Sequence, residues 1–429
     1  MAKALHGTGV TTRGALKAGV AAAAVLLSAG AASAGGFAPH EQSAYFMGSA
    51  FAGSAAGGAL SSMFWNPAAL GQFDGVNSDS SYSLIMPDTE ITVPGLGAFG
   101  KSGDIGDTAI LPASYFSYQL NDKIVLGLGV NAPFGLTTDG KYACAGSQFA
   151  RESKITTYNF NPTVAYRLAP GVLVGAGLQV EYIDAQLRQA TGAPGGPTSA
   201  VKGDDVGFGF TAGILISPAA GTSIGLGYRS KIEHDLEGSF HIAGVADQNR
   251  IFADVELPEI VTLSLRQDIA PAWTLLGTVE WTNWSRVPQL QINCAAAGAP
   301  ACPAANAPMV NGTLPLGWDD GWFFSAGLEH AYSEQLTLRG GVAYEISPID
   351  SDEGRTLRVP DADRIWVTAG ASYKYNENTT IDLSYAHVFV EDSTTVQGPG
   401  GAFVGEVDSS ADIISVGVRS KLDWLFAGQ

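Results

Sequence analysis

The chain is 429 residues long, sets 41 acidic against 23 basic residues for a formal net charge of -18, and is 46% hydrophobic with only 15% charged residues. So acidic a surface excludes nucleic acid as a partner, because a phosphate backbone demands a basic face. The charged fraction falls below the roughly 25% of ordinary soluble domains, and with 54 glycines it fits a lipid-facing band around an interior lined by small side chains.

Residues 1–34 carry Lys3, Arg13 and Lys17 with no acid, then the apolar run 20–27, then Ala32-Ser33-Ala34 before Gly35. This is the pattern of a cleaved export signal with an A-x-A site; its apolar core is shorter than the roughly 20 residues that a spanning helix needs. Its removal leaves 20 basic against 41 acidic residues, a net charge near -21. No later stretch is apolar enough to span as a helix. An exported chain of this kind crosses a membrane only as a closed sheet, because lipid satisfies no backbone hydrogen bond.

Residues 35–74 are dense in Ala, Gly and Ser, and Asn66-Pro67-Ala68 offers a helix N-cap followed by proline at the first helical position. Tyr45, Phe46, Met47, Phe51, Met63, Phe64 and Trp65 in the same segment require burial. Small residues around a few large apolar ones predict a plug folded into the barrel lumen rather than a disordered tail.

From Gly75 onward apolar and polar residues alternate. In 364–375, Ile365, Val367, Ala369, Ala371, Tyr373 and Tyr375 fall on one face and Thr368, Gly370, Ser372 and Lys374 on the other. Period-two segments lie near 75–86, 108–120, 124–137, 152–168, 172–189, 205–217, 222–238, 252–268, 273–289, 319–332, 336–348, 364–375, 379–391 and 412–426. Links such as Asn121-Asp122, Ala169-Pro170-Gly171 and Asn376-Glu377-Asn378 are short and alternate with long ones, the mark of periplasmic turns and external loops. The fold class expected is all-β: a 14-stranded antiparallel transmembrane barrel over residues 75–429, after the signal 1–34 and a plug, or hatch, over 35–74. Aromatics near strand ends (Tyr115, Phe116 and Tyr118; Trp281 and Trp284; Trp322 and Phe323; Tyr373 and Tyr375; Trp424 and Phe426) read as interfacial girdles.

Several motifs along the barrel tempt and fail. Residues 95–102 match both the P-loop and dinucleotide glycine patterns, but follow Pro94 in an external loop and open no helix. Gly221-Thr222-Ser223-Ile224-Gly225 matches a nucleophile elbow but enters a strand. His387 has apolar neighbours on its face and no readable serine partner. No enzymatic activity and no cofactor is expected. Cys294 and Cys302 flank an Ala/Pro-rich loop where a disulfide is feasible in an oxidising compartment, leaving Cys144 unpaired; no histidine stands near them at metal-ligand spacing. The loop acids Asp350, Asp352, Glu353, Asp361 and Asp363 read first as a solvated face and second as a cation bridge to lipopolysaccharide. Within the third strand, Asn131-Ala132-Pro133-Phe134-Gly135 places proline, which donates nothing to a ladder, beside a glycine that permits a bulge. This marks either an inward kink that holes the wall or the strand's end.

Gly36-Phe37, residues 48–53 and Asn66-Pro67-Ala68 resemble the hatch of the FadL family of outer-membrane transporters for long-chain fatty acids and other hydrophobic compounds. Residues 121–136, Leu257-Pro258-Glu259, residues 281–285 and 360–366 are similar to that family's turn, kinked third strand and later strand signatures. The resemblance implies a monomeric plugged barrel in the bacterial outer membrane. A hydrophobic small molecule would be caught by external loops, held in an apolar lumen pocket, and released sideways at Asn131, Ala132, Pro133, Phe134 and Gly135. It implies hatch roles for Phe37, Asn66, Pro67 and Ala68, and makes Arg188 a candidate polar contact for the cargo. Two departures stand out. Gly317-Trp318-Asp319-Asp320 is acidic where fatty-acid members carry a basic residue, which favours neutral hydrocarbons or aromatics as cargo. Phe426 is followed by Ala427-Gly428-Gln429, so the barrel-assembly machinery would read an internal aromatic. The alternative reading is a general porin for polar solutes, which would leave the lumen open.

Overall fold

The computed structural model describes residues 35–140, 143–245, 249–298, 301–398 and 401–423; the expected signal and the girdle pair Trp424 and Phe426 lie outside them. Among the described residues twenty-one strand segments join one sheet, and they build a closed antiparallel barrel of 14 staves. The first stave, Val76–Thr92, pairs with the last, Phe403–Lys421, from Asn77↔Lys421 to Thr92↔Glu406. That pairing leaves no free edge.

In chain order the next staves are Ala109–Gln119, then the two-piece Ile124–Asn131 and Gly135–Asp139, then Glu152–Ala169, Val172–Ala190 and Thr198–Ala219. The seventh is split into Thr222–Arg229 and Ile232–Ile242, the eighth into Asn249–Leu257 and Ile260–Ala270. Trp273–Thr282, Gly321–Ala331, Leu336–Ile346, Arg364–Lys374 and Thr379–Val390 follow. The loop between the ninth and tenth staves folds into its own hairpin, Gln289–Cys294 with Ala307–Pro315, and continues the sheet at Ile251↔Cys294. Cys294 and Cys302 are disulfide-bonded across this hairpin, and Cys144 is free and buried.

Period two sorts the faces as expected. Ile365, Val367, Val416 and Val418 are exposed to the lipid side, whereas Trp366, Thr368 and Ser415 point inward and are buried. The same rule corrects the girdles, because neighbouring residues on a strand face opposite sides. Phe116, Tyr118, Trp322, Tyr373 and Tyr375 are exposed, but Tyr115, Trp284 and Phe323 turn into the lumen. The last stave begins at Phe403 rather than near residue 412, since residues 393–397 pair with it as a hairpin, Ser393↔Val407 to Gln397↔Phe403.

Residues 35–73 run inside the cylinder. A short helix Ala44–Met47 and three 3-10 turns, Ser54–Ala56, Leu60–Phe64 and Pro67–Gln72, put Tyr45, Phe46, Met47, Phe51, Met63 and Trp65 into one buried cluster with Leu111, Trp366 and Ile413 of the wall. Asn66 is fully buried: its carbonyl oxygen accepts from Ala68 N at 3.0 Å, and its amide donates to Ala55 O at 2.8 Å and to Ile214 O at 3.0 Å. Glycines on the inner wall make this approach feasible. A Cβ at Gly213 would meet Asn66 Oδ1 at 2.1 Å, at Gly225 Ala55 O at 1.8 Å, and at Gly227 Trp65 O at 1.7 Å.

Polar anchors supplement the packing. The Tyr45 ring lies 3.7 Å from the Arg339 guanidinium and 4.6 Å from that of Arg419, while its hydroxyl donates to Glu329 at 2.8 Å. Arg339 and Arg266 both bond Glu329, at 2.7 and 2.5 Å. Arg339→Ala removes one cation from this buried network and should destabilise the folded barrel by about 3 kcal/mol. A lowered urea midpoint in vesicles is the reading to expect.

Candidate functional site

The wall departs from a regular sheet at the third stave. Ile124–Asn131 pairs on both sides, Ser114↔Val130 to Gln119↔Val125 and Ile124↔Tyr166 to Asn131↔Asn159. The chain then leaves the ladder at Ala132, Pro133 and Phe134 and rejoins only the fourth stave, from Gly135↔Thr156 to Asp139↔Glu152. On the second stave, Ala109 to Ala113 pair with the first stave; among the described residues no ladder joins them to the third. The interruption is bounded on the outer side by the bridge Gly106↔Thr138 and by Asp139 N donating to Ile105 O at 2.9 Å. Pro112 and Pro133, on facing lips, each remove a ladder donor.

The kink turns inward, and its backbone groups are satisfied by the internal segment and by a side chain of the fourth stave rather than by ladder partners. Gln42 Nε2 donates to Ala132 O at 2.8 Å, and Gly135 N donates to Phe37 O at 2.8 Å. Phe134 N donates to Thr157 Oγ1 at 3.0 Å, and that hydroxyl donates back to Phe134 O at 2.7 Å. Tyr115, the misassigned girdle residue, donates its hydroxyl to Gln42 O at 3.1 Å. Asn131 is 3% exposed, yet neither atom of its amide has a partner, a cost of about 1–3 kcal/mol.

Apolar side chains lead to the kink from the outer half of the lumen. Phe134 and Phe37 lie in one buried cluster with Trp284, Trp318, Leu236, Ile251 and Ile292. Phe37 sits 4.6 Å from the Trp284 ring and 6.2 Å from that of Phe134. At the far end of the cluster, Leu187, Val201, Leu236, Ile251 and Ile292 border a cavity of about 40 Å³.

Arg188 is 42% exposed and ion-paired with Glu152 at 2.7 Å. The predicted polar contact is thus already engaged by a carboxylate on the preceding, fourth stave. Asp320 accepts a hydrogen bond from Trp281 Nε1 at 2.9 Å just before the tenth stave. Buried Arg358 donates to neutral groups, among them Ser153 Oγ at 3.2 Å and Arg188 O at 3.3 Å, tying an outer loop to the fourth and fifth staves.

Beside Phe37 lies a buried charge cluster that the sequence reading missed. Glu345 Oε1 faces His40 Nε2 at 3.4 Å, and its Oε2 accepts from Trp366 Nε1 at 2.9 Å and faces Arg364 Nε at 3.6 Å. Glu280 stands 3.5 Å from His40 Nδ1. Asp361, read as a solvated loop acid, is 3% exposed and ion-paired with Arg364, because the chain folds it back over the barrel mouth. Burial alone would lower the His40 pKa, but Glu345 and Glu280 outweigh it and raise it to about 9. Glu41 is pushed up to about 7 by burial. The only sequence hint was the crowding of charge in 360–366.

Gly97–Gly100 is one 3-10 turn followed by a strand, with Lys101 bonded to Glu90 at 2.6 Å. His387 Nδ1 bonds Asp412 at 2.8 Å.

The sequence matches, over residues 25–422, the family described as Outer membrane protein transport protein (OMPP1/FadL/TodX). It is 26% identical to the Long-chain fatty acid transport protein of Escherichia coli O6:H1, covering 89% of this chain and 93% of that one. To Outer membrane protein P1 of Haemophilus influenzae it is 27% identical, covering 86% and 88%. In fold it is similar to a Pseudomonas aeruginosa FadL homologue, with a TM-score of 0.80 and 20% identity over 90% of this chain and 99% of that one. The Ralstonia pickettii toluene transporter TbuX superposes with a TM-score of 0.67 and 18% identity, over 89% and 98%.

Proposed function

The chain belongs to the OMPP1/FadL/TodX family of outer membrane transport proteins, and from that premise we propose that it takes up hydrophobic small molecules passively, releasing them sideways into the outer membrane at the third-stave kink. Cargo enters between the external loops, displaces side chains of the apolar cluster ending at Phe134, and leaves between Pro112 and Pro133. The observation that carries this reading is the unpaired stretch of wall opposite Ala132, Pro133 and Phe134, with an apolar cluster behind it and residues 35–73 filling the axial route. The 40 Å³ cavity is far below the roughly 300 Å³ of a ligand pocket, so capture includes a parting of Leu236, Ile251, Ile292 and their neighbours. Residues 35–74 act as the hatch. Phe37 and Gln42 hold the kink in its present shape, and Asn66, Pro67 and Ala68 fix the hatch to the wall. The barrel works as a monomer, since each barrel encloses its own lumen.

The cargo class follows from charge. Arg188 is engaged by Glu152, and Asp319 and Asp320 precede the tenth stave, so a free carboxylate gains little here. Neutral aromatics or alkanes should enter at least as fast as fatty acids, and Arg188→Met should leave their uptake unchanged. Uptake assays with matched acids and hydrocarbons test this; strict dependence on a free carboxylate would refute the cargo class. A steady ion current through the wild-type protein would instead favour a polar-solute porin.

A further inference from the structure

We propose that the lumen contains a binding site for the chain's own α-ammonium group, created when export cleavage after Ala34 makes Gly35 the first residue. The backbone nitrogen of Gly35 lies 2.9 Å from Glu345 Oε1, and that of Gly36 lies 2.9 Å from Asp361 Oδ2. Both acceptors are buried carboxylates more than 300 residues away in sequence. A neutral amide in that place would make one ordinary hydrogen bond. A charged amine there makes a desolvated ion pair, the stronger kind.

Three observations converge on the charge. Beside Gly35 the carboxylates Glu280, Glu345 and Asp361 meet His40 and Arg364, with Arg355 donating to the Asp361 carbonyl at 2.7 Å, so the terminus enters a buried field of paired charges and faces two carboxylates directly. Glu41, the fourth acid nearby, is held half neutral near pH 7 by burial. Next, a Cβ at position 35 would meet Glu345 Oε1 at 2.3 Å, so any larger residue there turns that carboxylate away from the terminus. Finally, a cavity of about 20 Å³ bordered by Gly35, His40, Glu280 and Glu345 has the room that one water needs, about 10–15 Å³, to bridge a second ammonium proton to Glu280. Two residues on, Phe37 carries this anchor to the wall through its carbonyl, which accepts from Gly135 N. The new terminus therefore fixes the kink's partner in place, and only a processed chain can supply it.

Intact mass and amine acetylation of the folded, full-length mature protein in detergent test this. The mass should correspond to a chain beginning at Gly35. At pH 7 the α-amine should acetylate at least tenfold more slowly in the folded barrel than in urea, and Glu345→Gln, which keeps the shape but not the charge, should remove most of that protection. If Glu345→Gln does not assemble, the pH profile of wild-type labelling decides, with an inflection above about 8, the top of the usual α-amine range, expected for an ion-paired terminus. A terminus elsewhere, equal labelling in both states, protection untouched by Glu345→Gln, or an inflection at or below about 7.7 would each overturn the proposal.

Discussion

Replacing residues 131–135 with a regular Thr/Val strand should reduce uptake of hydrophobic compounds to the level of cells lacking the protein, while the barrel remains folded. The substitution supplies the ladder donors that Pro133 cannot, and lets the third stave pair with Ala109 to Ala113 of the second. It also turns the backbone carbonyl that accepts from Gln42 and the backbone N–H that donates to Phe37 away from those partners and into the ladder. With the wall closed, cargo in the lumen has only the aqueous periplasm ahead. At about 0.8 kcal/mol per CH₂ transferred, a roughly ten-carbon chain faces about 8 kcal/mol on that route, a slowing of about a millionfold. Unchanged uptake by a folded variant would remove the lateral exit.

Gly227→Val should convert a silent barrel into a steadily conducting one. The Trp65 carbonyl lies 1.7 Å from the position of a Cβ on Gly227, and a carbonyl in the hatch backbone has no rotamer with which to retreat. The segment 63–70 must leave the wall, and with it the burial of Met63, Phe64, Trp65 and Leu70, at about 1.5–3 kcal/mol per side chain and on the order of 8 kcal/mol together. A barrel of this size with its interior vacated holds water. Gly277→Val is the matched control, since Gly277 faces lipid with its nearest atom, Ser325 O, 3.8 Å away; planar bilayers carrying it should stay silent. A folded Gly227→Val barrel with no current would mean that residues 35–73 do not block the axial route.

The faces of the staves were legible because a two-residue period leaves little freedom: once Ile365 and Val367 face lipid, Trp366 must face the lumen. The girdle assignment of Tyr115 and Phe323 failed for the same reason, as position near a strand end was allowed to outweigh parity, whereas Trp284 lies past its strand in a 3-10 turn that carries it into the lumen. The kink was legible from Pro133, but Pro112 on the opposite lip was not singled out, and two prolines make the interruption. Hidden altogether was the His40, Glu345, Asp361 and Arg364 cluster. Its members lie at position 40, in the eleventh stave, in the loop that follows it and at the start of the twelfth, and only barrel closure over a folded-in N-terminal segment brings them together. Arg229 is a similar case, an inward cation lying 4.3 Å over the Phe64 ring and donating to Phe64 O, where sequence showed only a position inside the segment 222–238.

The most direct test is where cargo first arrives. In proteoliposomes, an apolar fluorophore whose emission separates bilayer from water is added outside, with and without a soluble hydrophobic trap inside the vesicles. Lateral release predicts that bilayer emission rises first, at a rate the internal trap does not change, and that closing the 131–135 kink abolishes it. Arrival in the trap before the bilayer, or bilayer filling unaffected by the closed kink, would contradict it.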